Sequence, residues 1–548
     1  MTAAAATLPP DHPLARFVPL RRAEAVLLRA CRHGDIARIG LRRPREASPE
    51  VTVRASFLAA LALITGAHRQ SRRIQLLGAW IEGRLDLGEC PVPASLWFFR
   101  CVFDTTPLFD GARIAGGLAF PDCELPGLLA ERCRIEQELA LNAGCTIASE
   151  VRLQQARIGG DFNATRLTLG GNEASLPGRR SLMADGIEIG GDLRMSEGFE
   201  AGGEVRLAGA RVRGDLLASG ARCNGPVDAS GARRCALVLD RIRVDGDLRL
   251  DEGFAAAGRV SARRARIGGD LDCSGAAFDR VGDAAWGEGV SLVLDRARIG
   301  GTLRLVGLQA PLLGASFSGT RVKALVDDAG TWGERLVLDG FAYSRFGDGA
   351  PLDAGFRLGW LERQPAPHLG DDFRMQPWQR VIAVLRRMGH GAGAGTLALR
   401  REQRLRRAGR IGLGLPAALR GLARSGHALF GALAGYGWRP QRVLGLWLLA
   451  WLLGSLFFAL AHDAGALRPL GPGAATPFAP AMHALDLLLP GIDLGEQGGW
   501  AAAAGAPSGL GWSDAARAVG WLLRLVGAGS ALLLLVCVAG WADRDRRR

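Results

Sequence analysis

Lysine is almost missing from this sequence. Lys323 is the single example in 548 residues, so the basic complement is arginine, a bias that a GC-rich genome imposes and that brings planar, forked hydrogen bonding. Tyrosine occurs twice and methionine six times. There are ten cysteines but no C-x-x-C pair and no Cys/His cluster at zinc spacing, which removes the usual zinc and dithiol readings. Cys90, Cys101 and Cys123 instead lie 11 and 22 residues apart, and Cys223 and Cys235 lie 12 apart, as buried free thiols in a repeating array would. Residues 1–20 contain no apolar h-region, so no cleavable signal is expected and the body of the chain is expected in the reducing cytoplasm.

The length exceeds what one core can organise, so several domains are expected. The net charge of +14 is unevenly placed: +8 over residues 1–80, −5 over 81–350, +10 over 351–440 and +1 over 441–548. A nucleic-acid binder needs a basic face on its main body, and here the main body is acidic. The excess charge flanks it instead, at the N-terminus and, over 351–440, next to apolar runs near the C-terminus. No nucleic-acid partner is expected.

What is abundant is glycine, with 77 residues, and it is periodic. The phrase Ile-x-Gly-x-Leu begins at Ile81, Ile114 and Ile189, with a looser copy at Ile135 and one ending on Phe162 at Ile158; later copies begin at Val212, Val244, Ile267 and Ile299, with a degenerate one at Val322. Most steps are near 22 residues. The longer ones carry turn-rich inserts at 170–180, 220–234 and 275–289. A second phrase, Leu-x-x-Asp, starts at Leu182, Leu237, Leu292 and Leu336. Within a step apolar and polar residues alternate, as in Leu248-Arg249-Leu250, which marks short strands with one buried face. No single step can bury its own face, so the expected fold is mainly β: a parallel β-solenoid of about ten coils of ~22 residues.

Two columns of charge follow the repeat. Arg113, Arg134, Arg157, Arg211, Arg243, Arg266 and Arg298 each precede an anchor, and Asp161, Asp192, Asp215, Asp247 and Asp270 each follow a corner. They read either as a ligand stripe, with calcium on the aspartates, or as neighbouring columns that neutralise each other on a solvated face. The second reading is preferred because the G-G-x-G-x-D calcium pattern is missing.

The flanks change texture. Residues 21–32 and 53–65 have helical periodicity and suit an N-terminal cap; 379–388 and 397–407 read as basic helices joined by 389–395. The Gly391-Ala392-Gly393-Ala394-Gly395 junction follows a helix rather than a strand, so it is not a dinucleotide loop. Residues 443–461 and 525–541 are uncharged and long enough to span a bilayer, the second marginally so unless extended to Ala518. Loop 463–516 carries one basic residue against five acidic, so the positive-inside rule makes it extracytoplasmic and both termini cytoplasmic. Residues 416–434 suit an interfacial amphipathic helix.

The Ile-x-Gly-x-Leu coils, Gln376-Pro377-Trp378, Gly435-Tyr436-Gly437-Trp438-Arg439-Pro440 and Leu485-Asp486-Leu487-Leu488-Leu489-Pro490 together resemble an actinobacterial-type family. Its members are bacterial membrane-associated β-solenoid proteins with pentapeptide- or bactofilin-like repeats and a two-helix C-terminal tail, often labelled membrane-associated oxidoreductase. The resemblance implies that activity but supplies no motif for it. No dinucleotide loop, haem site, iron–sulfur spacing or flavin signature stands in the sequence, so no catalytic, cofactor-binding or metal residue is designated and no cofactor is expected.

The expected organisation is a helical cap (1–73), β-solenoid (74–350), basic helical linker (351–440), transmembrane helix (441–462), extracytoplasmic loop (463–516), second transmembrane helix (517–542) and basic tail (543–548). The expected function is a cell-membrane-anchored scaffold, with the bilayer as one partner and a protein on the solenoid surface as the other. A membrane-associated oxidoreductase and a polymer-forming or channel-like membrane protein are the alternatives.

Overall fold

The computed structural model describes residues 12–65, 73–170, 180–227, 234–279, 290–470, 477–503 and 511–546. Its contacts divide the chain into two compact units, residues 1–368 with 374–388, and residues 369–373 with 389–548.

The first unit is built from short parallel strands in sheets of 22, 10 and 9 strands. One repeat shows the plan. Glu124–Leu125 lies in the ten-stranded sheet, Leu128–Leu129 in the nine-stranded sheet, and Arg134–Ile135 and Leu139–Ala140 in the largest. Thr146–Ile147 then returns to the ten-stranded sheet, paired in register with Glu124–Leu125. Four strand columns therefore recur with each repeat. Two of them belong to the largest sheet and merge where Arg321–Asp327 pairs with both.

Register explains the anchor phrase. Ile114, Ile135, Ile158, Ile189, Val212, Val244, Ile267 and Ile299 are successive partners in one column, all buried. Each fully buried aliphatic side chain contributes roughly 1.5–3 kcal/mol, so the column is a continuous source of stability. Ile81 is the exception. It spells the same phrase but pairs with Phe103 in the ten-stranded sheet, and the column's true predecessor of Ile114 is Val92, 22 residues earlier. The first long step is therefore a change of column, not an insert. The other three long steps all fall at one corner, between the ten- and nine-stranded sheets. Most of their inserts lie outside the described residues, and pairing resumes beyond each: Arg180–Met183, Cys235–Val238 and Leu292–Val293 rejoin the nine-stranded sheet.

Helices flank these sheets. At the N-terminal end α1 (Arg22–His33) and α2 (Ala55–Ile64) are joined through the buried Glu24 carboxylate, which accepts from Arg54 Nε at 2.7 Å and Nη2 at 2.6 Å. Helix α2 starts later than its periodicity suggests, because Thr52–Arg54 is already a strand paired with Trp80–Glu82. At the other end α3 (Ala354–Glu362) delivers Arg357 to Asp327, both fully buried, through two 2.7 Å hydrogen bonds. Trp332 Nε1 donates to the same carboxylate at 2.7 Å, and the guanidinium lies 3.8 Å from the Phe346 ring centre. Helix α4 (Met375–Arg387) brings the Gln376-Pro377-Trp378 motif: Gln376 accepts from Gly340 N–H and donates to the Phe341 carbonyl, as a further strand would.

The second unit is mainly helical, with one two-stranded antiparallel sheet of Leu467–Pro469 and Trp500–Ala502. Gly391–Gly395, expected as a connector, form the first turns of α5 (Gly391–Arg407); Gly395 sits where a Cβ would meet the Trp438 ring, so the motif permits close packing. After α6 (Ala417–Ala434), a short turn holding Tyr436 in left-handed backbone precedes α7 (Pro440–Asp463). Helix α8 (Pro480–Leu488) follows, then α9 (Trp512–Arg546), which extends well beyond its apolar run. Two helices, Pro440–Asp463 and the Trp512–Ala539 part of α9, are long and apolar enough to cross a membrane. Their surfaces expose Leu444, Leu448, Leu452, Leu456, Leu525, Leu532 and Leu535.

Candidate functional site

The two charge columns separate in structure. The aspartates serve the backbone. Asp161 Oδ1 accepts the N–H of Asp192, Asp192 that of Asp215, Asp215 that of Asp247, Asp247 that of Asp270 and Asp270 that of Thr302, at 2.6–3.0 Å. A strand that ends at a corner leaves N–H groups without a ladder partner, and a carboxylate one repeat away supplies it. The glycine before each acceptor-bonded residue is required. At Gly191, Gly214, Gly246, Gly269 and Gly301 a Cβ would occupy the place of the carboxylate oxygen. The bond to Asp215 N–H, ahead of the Arg194 ion pair, holds the Asp192 carboxyl below the usual range. The Leu-x-x-Asp phrase repeats the device at another corner: Asp185, Asp240 and Asp295 accept from Ala208, Arg263 and Ser318 N–H. Among the described residues no three His, Cys, Asp or Glu side chains gather as a metal site.

The arginines face solvent in strict register. Arg113, Arg134, Arg157, Glu188, Arg211, Arg243, Arg266, Arg298 and Arg321 are consecutive partners along the largest sheet. Like charges directly opposite on a sheet repel, by roughly 0.2–1 kcal/mol a pair. The two halves deal with this differently. In the N-terminal half acids intervene: Glu136 lies 2.7 Å from Arg134, and Glu188 lies 3.3 Å from Arg157 and 3.4 Å from Arg211. In the C-terminal half Arg243, Arg266, Arg298 and Arg321 form no ion pair among the described residues. The Asp row does not neutralise them, since Asp161 and Asp192 pair with Arg194 in the neighbouring column.

These four arginines, Lys323 and Asp245 line an open groove of 680 Å³ over Val244, Ile267 and Ile299. More cations stand at the adjoining corner. Arg241, Arg264 and Arg296 occupy left-handed backbone (φ 60°, 56° and 58°) at the turn position where other repeats place Gly186, Gly209 and Gly319. Those three rungs each present an Arg-x-Arg pair across the corner, and on the fourth Arg321 is followed by Lys323 along the strand. The repeat phrase disclosed the ladder as far as Arg298. It missed Glu188, Arg321 and Lys323, and the corner arginines carry a signal only in the Arg-x-Arg spacing.

Eight of the ten thiols are buried. Cys101, Cys123 and Cys145 stack at 22-residue intervals, and Cys123 Sγ donates to the Phe98 carbonyl at 3.1 Å. Burial pushes Cys31, Cys133, Cys145 and Cys223 up to about 12, away from thiolate chemistry. Comparison of the chain with protein-family models, with curated proteins and with solved structures finds no match.

Proposed function

We propose that the chain is a membrane-anchored scaffold. The parallel sheets form a β-solenoid spanning about residues 74–350, capped by helices, and the two apolar helices cross the cell membrane with loop 463–516 outside and both termini inside. The solenoid then stands at the cytoplasmic face and offers a protein partner an extended surface. One observation carries this reading: a row of uncompensated cations runs rung after rung along a regular sheet, the form of an interaction surface. The basic segments flanking α7 and α9 support the orientation.

Alkaline extraction of membranes followed by protease treatment tests it. The expected result is retention in the membrane pellet, with residues 12–388 cut in inside-out vesicles and protected in right-side-out vesicles. Release by alkali, or the opposite protection pattern, contradicts it. The rival oxidoreductase reading predicts a flavin or haem absorption band, or NAD(P)H binding, in the purified protein.

A channel-like role is favoured by a separate observation. Helix α8 packs against both apolar helices through Ala484, Leu487 and Leu488, and Gly527 lets it approach α9. Asp486, fully buried, ties the following loop by accepting from Leu494 and Glu496 N–H. Ion flux in proteoliposomes that is lost in Asp486→Ala would support this second role; a tight bilayer would remove it.

A further inference from the structure

We propose that the C-terminal half of the arginine ladder docks an acidic amphipathic helix of the partner protein, an inference that rests on the scaffold reading and gives the partner a chemistry. The docking residues are Arg243, Arg266, Arg298, Arg321 and Lys323, all exposed along one groove.

Spacing selects the helix. Arg243 to Arg321 covers three rung intervals. With neighbouring strands ~4.8 Å apart, that is about 14 Å. A helix with one carboxylate per turn repeats every ~5.4 Å and covers about 16 Å in three turns. An extended strand presents same-face side chains every ~6.7 Å, so its three intervals need about 20 Å and run out of step. Guanidinium forks hold carboxylates in bidentate pairs, and the side chains reach far enough to absorb the small mismatch with a helix.

Charge and composition argue against other polyanions. No aromatic ring lines the groove, so bases have nothing to stack on. Residues 81–350 carry a net −5, which repels a long polyanion beyond the patch and leaves a short acidic segment unaffected. Asp245 sits inside the groove, where it can accept from a lysine, serine or backbone N–H of a partner helix that carries its carboxylates on the arginine side. A flat anionic bilayer would need the field to continue along the sheet, and Glu136 and Glu188 interrupt it in the other half.

The test is fluorescence anisotropy of the full chain in detergent micelles with a labelled helical peptide carrying one glutamate per turn. A second peptide has the same composition with the glutamates scattered around the helix. The striped peptide is expected to bind, and to weaken as salt rises. Arg266→Glu with Arg298→Glu should weaken it more than about tenfold, and Arg266→Gln with Arg298→Gln by less. Arg84→Glu, exposed and off the ladder, should leave binding unchanged. Equal affinity for the two peptides overturns the proposal, as does unchanged binding in both double variants. Tighter binding of a single-stranded oligonucleotide or of phosphatidylserine vesicles than of the striped peptide also overturns it. If the peptide fails while the vesicle experiment gives the expected protection, the helix falls and the scaffold stands.

Discussion

An aspartate whose oxygen caps the next repeat's backbone, facing a glycine that must stay bare, is the smallest unit of this fold. At Asp247 and Gly269 the two are coupled: the carboxylate accepts from Asp270 N–H at 2.8 Å and lies where a Gly269 Cβ would go. Gly269→Ala displaces the carboxylate and leaves an N–H unpaired, so a loss of about 1–3 kcal/mol is expected. Asp247→Ala should cost about 1 kcal/mol, and the double variant less than the sum of the two. Denaturant titration of the four proteins measures the coupling; strict additivity would contradict the shared geometry. The cysteines give a second prediction at this scale. Cys31, Cys133, Cys145 and Cys223 ionise near 9.0 when unfolded and near 12 when buried. Between those values the unfolded chain has released protons that the folded chain keeps. Stability is therefore fully present below pH 9 and falls as pH rises towards 12, by up to about 1.4 kcal/mol per pH unit for each thiol. Thermal midpoints measured between pH 8 and 11 check the slope, and Cys223→Ala should reduce it. A thiol reagent at pH 8 should reach the half-exposed Cys90 and Cys235 before the buried thiols of the sheet unit.

At the level of elements, the parallel strands were legible in the sequence and the flanking helices only partly so. A strand with one buried face announces itself by alternation, and an in-register stack repeats that alternation at a fixed step. The anchors from Ile114 to Ile299 therefore align from residue order alone. Ile81 misled because a neighbouring column can spell the same five residues; register, not spelling, decides the column. The charge relations were not legible. Whether Arg243 meets an acid depends on how each corner turns its side chains, and Arg157 finds one at Glu188 only through strand pairing. The buried Asp327–Arg357 contact was hidden for a related reason, since the two residues lie thirty positions apart with no local pattern joining them. That pair makes a clear prediction. Removing one partner strands the other charge in the interior, so Arg357→Leu should destabilise the sheet unit by about 3–5 kcal/mol. Asp327→Leu combined with Arg357→Leu should recover part of the loss. Circular-dichroism melting of the three proteins distinguishes this from a pair that contributes nothing.

For the whole molecule, charge is sorted rather than spread. The sheet body is acidic in sum, yet its largest sheet carries a cationic half-ladder, and the remaining positive charge is divided between the N-terminal 80 residues and the segment that precedes the helices able to cross a membrane. Each half of the ladder uses the same strand pairing, and the interleaved glutamates are what compensate the arginines in one half and not in the other. Placing acids in the bare half, with Arg243→Glu and Arg298→Glu, should raise the stability of the sheet unit slightly by relieving like-charge rungs, by about 0.2–1 kcal/mol per relieved pair. It should abolish partner association at the same time. Stability gained while function is lost is the mark of a row of charges kept for binding. The most direct test is site-specific photocrosslinking in native membranes, with the photoreactive residue at position 245 or 323 in the groove, or at exposed position 200 on the ten-stranded sheet. The account predicts that 245 and 323 capture the same discrete protein, that Arg266→Glu with Arg298→Glu eliminates the product, and that 200 captures nothing comparable. Equal capture from both faces, or lipid as the sole product at 245 and 323, would contradict it.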